Sequence, residues 1–128
     1  MLNKQDILQK LKRLDFPKDQ YCVMTGAAMV LLGVKEHTND IDIGCSEVLF
    51  QNLLKQGYKL QQLKSIEGII IEDDIEIFRN WNAEKVVYIE DIPLADTYSI
   101  RKYKSDLGRE KDFKDIELID IYLSKNQK

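Results

Sequence analysis

The chain has 128 residues, with 19 Lys and Arg against 22 Asp and Glu, and a formal charge of −3. That length suits one domain with its own core, and 44% hydrophobic residues at so small a net charge exclude a wholly disordered chain. The longest apolar run, residues 27–32, falls far short of the ~20 residues a membrane span needs, and the mild acidity argues against coating an extended nucleic-acid duplex with Lys and Arg.

The first residues mix charged and apolar positions and lack the apolar stretch of a signal peptide. Cys22 and Cys45 form neither a CxxC motif nor a metal pair. Reduced thiols and a cytoplasmic location are the expectation.

Ile7, Leu8, Leu11 and Leu14 recur at helical spacing, so residues 4–15 are expected to form a helix capped by Asn3, with Pro17 beyond its end. Residues 20–24 read as a short buried strand. Thr25-Gly26 is a turn signal, and residues 27–32 read as an apolar helix ending at Gly33. The alternation from Asp40 to Gly44 predicts a strand. Ser46 caps a helix that runs to about Gln56. Residues 58–64, 68–71, 74–78 and 85–89 read as further strands separated by turn residues such as Glu67-Gly68 and Glu72-Asp73. Asp96 caps a helix reaching Leu107, Gly108 breaks it, and residues 109–124 are helical. This order predicts an α+β fold, a small mixed β-sheet packed by helices, in a single domain over residues 1–128. Its parts are an N-terminal helix in 1–16, a core in 20–90 and C-terminal helices in 96–124.

The segment Asn39-Asp40-Ile41-Asp42-Ile43-Gly44 carries the first chemical signal. Side chains alternate faces along a strand, so Asp40 and Asp42 share one face while Ile41 and Ile43 point to the core. Their Cα atoms stand about 7 Å apart at a strand rise of ~3.3 Å per residue, which lets both carboxylates reach one hard cation such as Mg²⁺. Asp is disfavoured in strands, so two of them there call for a reason. The plainer reading is a solvated strand face. Asp74-Ile75-Glu76-Ile77 repeats the pattern. If that strand neighbours the first, Glu76 or Asp74 joins the pair; otherwise it is a solvated edge.

Thr25-Gly26-Ala27 sits where a strand passes into a helix. A helix N-terminus presents unpaired N–H groups that suit a phosphate, and Gly26 permits close backbone approach. A tight turn packed with small residues is the alternative.

Taken in order, Gly26-Ala27, then Asp40-Ile41-Asp42-Ile43, then Ile75-Glu76-Ile77 resemble the nucleotidyltransferase superfamily that includes DNA polymerase β, and above all its small bacterial single-domain members. The resemblance runs from about Tyr21 to Phe78 and resumes in the segment from Lys104 to Asp115. It implies that Asp40 and Asp42 ligate two Mg²⁺ ions. Glu76 then stands as the third carboxylate, near the acceptor hydroxyl. Two such metals ~3.5–4 Å apart stabilise both the attacking and the leaving oxygens of an in-line displacement. The backbone at Gly26-Ala27 would hold the β- and γ-phosphates, and Thr25 could add its hydroxyl. The family usually has Gly-Gly or Gly-Ser where this chain has Gly26-Ala27. The missing hydroxyl would cost ~1.5–3 kcal/mol of phosphate binding.

Lys104 and Arg109 could meet the triphosphate, or could form part of a solvated helical face, with Asp112 and Asp115 as partners. Thr38 reads as a loop-shaping residue. His37 reads as an exposed loop residue. Trp81, near Tyr88, reads as core or rim, with stacking on a base as the alternative.

The resemblance thus implies an enzyme that moves an NMP, with AMP favoured, from an NTP such as ATP to a hydroxyl of a small molecule, a protein or an RNA end. An antibiotic-like acceptor and a toxin–antitoxin setting both fit. The alternative is an antitoxin-like binding module, catalytically weak or inactive, that docks on a protein partner. A homodimer would be one way to complete an open cleft.

Overall fold

The computed structural model describes residues 1–63, 66–81 and 83–126. Five helices pack on one seven-stranded mixed sheet. The elements in chain order are α1 (Lys4–Leu14), β1 (Tyr21–Met24), α2 (Thr25–Leu32), β2 (Ile41–Cys45), α3 (Glu47–Lys55), β3 (Gln61–Leu63), β4 (Ile66–Ile71), β5 (Ile75–Arg79), β6 (Val86–Ile89), β7 (Ile92–Ala95), α4 (Thr97–Leu107) and α5 (Glu110–Asn126). Among the described residues, no helix is long and apolar enough to cross a membrane.

Local signals start the helices where the side chains dictate. Asn3 and Asp6 form a reciprocal capping box at α1, Ser46 accepts from the Leu49 amide at α3, and Asp96 accepts from the Ser99 amide at α4. Gly33 and Gly108 close α2 and α4 in the left-handed conformation, at φ +84° and +62°.

The sheet order is β3-β4-β5-β2-β1-β7-β6. β2 runs antiparallel to β1 and parallel to β5. Ile41, Ile43, Ile75 and Ile77 are fully buried, in a core shared with Ile7, Met29, Phe50 and Leu53. Their alternates Asp42, Gly44, Glu76 and Phe78 stand on the other face.

Four differences from the sequence expectation stand out. β4 begins at Ile66, so Glu67 and Gly68, expected to turn, are paired with Gln62 and Gln61 of β3. α2 begins at Thr25, two residues early, because the chain turns sharply out of β1. Residues 58–60 precede β3 and are not strand, and position 64, at the end of that expected strand, lies outside the described residues. β7 is an unexpected strand. All four of its residues are buried, and it runs parallel to β1 and antiparallel to β6. The β6–β7 turn places Glu90 and Asp91 at φ +47° and +67°, a two-residue hairpin built without glycine.

Candidate active site

The parallel pairing of β2 with β5 sets Asp42 opposite Glu76. Asp40 precedes β2 by one residue and shares the face of Asp42. One oxygen from each of Asp40, Asp42 and Glu76 lies within 4.8 Å of the others. Three carboxylate oxygens so gathered form a hard donor set, which fits Mg²⁺ and leaves room for phosphate oxygens and water in its octahedral shell. Asp74 takes no part. Its carboxylate turns to Lys10 on α1, 3.2 Å away, while its backbone carbonyl accepts from the Ile41 amide.

β1 brings α2 to the same point, since Met24 pairs with Asp42 in the register. Thr25 makes the turn at φ +47°, a left-handed conformation rare for a β-branched residue. It is buried, and its hydroxyl donates to Asp42 Oδ2 at 2.8 Å. That hydroxyl, expected to face a phosphate, is engaged by a carboxylate. Gly26 follows. A Cβ there would lie 2.7 Å from Thr38 Oγ1, so the missing side chain admits the loop before β2. Leu2 and Thr38 exchange backbone hydrogen bonds of 2.7 and 3.0 Å, and the Thr38 hydroxyl lies 3.4 Å from the Asp40 carbonyl. Thr38 therefore shapes the loop that delivers Asp40. α2 has no side-chain cap, so its first amides beyond Gly26 are left without that partner.

Lys104 and Arg109 both line the cleft above the carboxylates. Their charges are held by α5. Lys104, almost fully buried, lies 2.8 Å from Asp115 and 3.6 Å from Asp112. Arg109 is exposed and forks onto Asp112 at 2.6 and 3.1 Å. Asp112 is fully buried and also accepts from the Arg109 amide at 3.1 Å, closing the start of α5. Burial works to raise the Asp112 pKa. The hydrogen bonds from Arg109 and the charge of Lys104 outweigh it and hold the carboxyl below its ordinary value. Lys35 joins the network through Asp115 at 3.2 Å. No pattern in the sequence around Lys35 marks it.

The far end of the cleft is aromatic. Gly44 explains its construction: a Cβ there would lie 1.9 Å from the Trp81 carbonyl oxygen, so the chain after β5 crosses directly over β2. Trp81 meets Phe78 edge-on at 5.5 Å and Tyr103 at 5.0 Å between centroids. Tyr88, the expected neighbour, lies exposed on β6. Burial and then the Asp42 charge raise the Tyr103 pKa. A glycine inside an alternating strand is the sequence signal that could have located this crossing. His37 lies exposed at the cleft margin. Cys45, next to Gly44, is buried, and burial pushes its thiol up to about 11, which leaves it no nucleophile at neutral pH.

The cleft encloses about 430 Å³, within the range of small-molecule sites, ~300–1,000 Å³. Its lining combines the three carboxylates with Lys35, Lys104 and Arg109 and with the apolar side chains of Leu63, Ile66, Phe78, Trp81 and Leu107.

No family model matches the sequence, and no curated protein matches it. Among solved structures, the chain is similar to ANT(2")-Ia, a nucleotidyltransferase, in its crystal structure in complex with adenylyl-2"-tobramycin. The TM-score is 0.53 at 16% identity, over 93% of this chain and 86% of that one. The likeness is one of fold: this chain has a nucleotidyltransferase-like architecture.

Proposed function

We propose that the protein is a Mg²⁺-dependent nucleotidyltransferase that transfers an NMP, AMP in the first instance, from an NTP to a hydroxyl. The observation that carries this reading is the meeting of Asp40, Asp42 and Glu76 oxygens within 4.8 Å of one another beside the start of α2. The compound bound to ANT(2")-Ia, an adenylylated aminoglycoside, supports adenylyl transfer as the reaction class.

Asp40 and Asp42 would hold Mg²⁺, with Glu76 completing the set. When bound, such ions neutralise the phosphate charge and lower the pKa of a ligated hydroxyl. The chain's own groups do the rest. The Thr25 hydroxyl orients Asp42. The first amides of α2 receive the outer phosphates, as helix N-termini do. Glu76 accepts the acceptor's proton. The acceptor oxygen forms a bond to the α-phosphorus, the bond to the bridging oxygen breaks, and pyrophosphate leaves toward α2. Two buried, unbridged cysteines fit a reducing, cytoplasmic setting.

Thermal unfolding with each of the four NTPs and Mg²⁺ tests this reading. ATP with Mg²⁺ should raise the Tm, and the double variant Asp40→Ala, Asp42→Ala should lose that rise. Transfer of label from α-labelled ATP to an acceptor in cell extract should follow the same pattern. No shift with any NTP would sink the proposal.

One observation favours a second reading, a binding module. α5 exposes Phe113 and Ile121, at 58% and 46%. Co-purification with a partner that Phe113→Ser abolishes, without any NTP response, would select it.

A further inference from the structure

We propose that β6 is an interface for a second copy of this chain. The two β6 strands pair antiparallel about a two-fold axis at Tyr88 and join the two sheets into one. The proposal stands apart from the nucleotidyl-transfer reading, because β6 contributes nothing to the lining of the cleft.

β6 ends the sheet, and among the described residues no strand pairs with its outer side. The register against β7 fixes which backbone groups that side presents. Tyr88 lies opposite Pro93, which has no N–H, so the two form a pair without hydrogen bonds. The Lys85 carbonyl accepts from the Asp96 amide at 3.2 Å. Alternation then turns the polar backbone groups of Lys85, Val87 and Ile89 toward β7, and those of Val86 and Tyr88 outward. The side chains of Val86 and Tyr88 are exposed as well, at 42% and 61%. The strand Val86-Val87-Tyr88-Ile89 carries no lysine, proline or bulge, the usual guards of a sheet edge. The opposite edge, β3, is three residues long and two of them are glutamines.

Charge decides the occupant. Lys85 precedes β6 and the Glu90-Asp91 turn follows it, all three exposed. A strand basic at one end and acidic at the other complements an antiparallel copy of itself, and a two-fold pair repeats the match at both ends. The same charges select the register. With Tyr88 opposite Tyr88 of the second copy, Val87 meets Ile89 and Lys85 meets Asp91. The two Tyr88 residues then exchange backbone hydrogen bonds at a Cα separation of about 5.5 Å. Val87 and Ile89, half-buried and packed on the core, close on each other at about 4.5 Å and extend it. A slip of two residues, to Val87 opposite Val87, would set Glu84 against Glu90. A slip of one would put the two members of each pair on opposite faces.

Sedimentation equilibrium of the whole protein over a wide range of concentration tests this. The wild type should show a monomer–dimer equilibrium, and the Tyr88 amide should exchange with deuterium more slowly as the dimer fills. Tyr88→Lys sets like charges opposite each other at a solvent-facing position, so it should unfold as cooperatively as the wild type and stay monomeric. Lys85→Asp and Asp91→Lys should each dimerise roughly tenfold more weakly alone, since both ends lose an attraction and gain a repulsion. Mixed in equal amounts, these two proteins should dimerise as the wild type does, because the charges at both ends are again opposite. A wild type that is monomeric at every concentration, a dimer that Tyr88→Lys leaves intact, a Tyr88 amide whose exchange ignores concentration, or a mixture no more dimeric than its parts would each overturn the proposal. A monomeric chain that instead binds an unrelated extended peptide along β6 would remove the second copy as its occupant.

Discussion

Thr25 donates its hydroxyl to Asp42 Oδ2 at 2.8 Å from a backbone held at φ +47°. The conformation costs ~1–3 kcal/mol for a β-branched residue, and it sits next to Asp42, which pairs in register with Met24 of β1 and Glu76 of β5. Three substitutions separate the hydroxyl from the strain. Thr25→Ser keeps the donor and should keep Mg²⁺·ATP binding within about twofold. Thr25→Val keeps the shape and loses a bond to a charged group worth ~1.5–3 kcal/mol, so binding should weaken tenfold or more. Thr25→Gly also loses the donor but relieves the backbone, so it should unfold at a higher temperature than Thr25→Val. Calorimetric titration with Mg²⁺·ATP and thermal unfolding make the comparison.

Gly44→Ala should be costly. The added methyl would meet the Trp81 carbonyl oxygen at 1.9 Å and its carbon at 2.8 Å, and backbone cannot swing aside as a side chain can. Overpacking of this kind costs ~1–3 kcal/mol, and the crossing segment has to move. Urea unfolding should show the loss, and Trp81 emission should shift toward the red in the folded state. An Ala variant with unchanged emission would place the crossing elsewhere.

Asp112 is fully buried, accepts from the Arg109 amide and guanidinium, and lies 3.6 Å from the Lys104 ammonium. Asp112→Ala leaves part of a buried charge cluster unmatched and should cost ~3 kcal/mol, with Asp112→Asn losing less because it still accepts at the helix start. Its folded-state pKa is lowered, so the folded state favours the ionised form. The stabilisation is complete above the ordinary carboxyl value of 3.8 and is lost as pH falls through the lower folded value. The wild-type Tm should therefore drop below about pH 4 more steeply than that of Asp112→Asn.

The alkaline limb has the opposite sign. Burial raises Cys22 and Cys45 from 9.0 to about 11. The unfolded chain releases these protons first, so stability is full below pH 9 and falls as pH rises toward 11, by on the order of 2–3 kcal/mol per thiol. Replacing both by Ala should flatten the decline of Tm over that interval. Tyr21, raised by burial from 10.0 to about 12, should leave a residual decline above pH 10.

The helices and the acidic strand are legible because their signals are local. Asn3, Ser46 and Asp96 cap through their own side chains, and the alternation of Asp40, Ile41, Asp42 and Ile43 needs no knowledge of neighbours. Glu76 is legible only conditionally, because its role depends on a parallel pairing between β2 and β5 that no local pattern encodes. β7 is hidden for two reasons. Pro93 argues against a strand interior, and the Glu90-Asp91 turn takes left-handed angles without glycine or asparagine. The partners of Lys104 depend on how α5 folds back on α4, again a tertiary matter. Trp81 has partners the sequence does not show, because Phe78 and Tyr103 come from different elements.

The register of β2 against β5 also has a consequence for folding. Side-chain direction reverses with every residue, so a slip of one position would send Glu76 into the core and Ile75 or Ile77 into the cleft. A chain with its helices formed but this pairing out of step would have no acidic centre. The two strands are separated in sequence by α3 and the β3–β4 hairpin, so their closure is a non-local event that comes at an entropic cost. A divalent ion bridging Asp42 and Glu76 would bind the correct register alone and stabilise it by mass action. The carboxylates proposed for chemistry would then also act as a proofreading contact for the sheet.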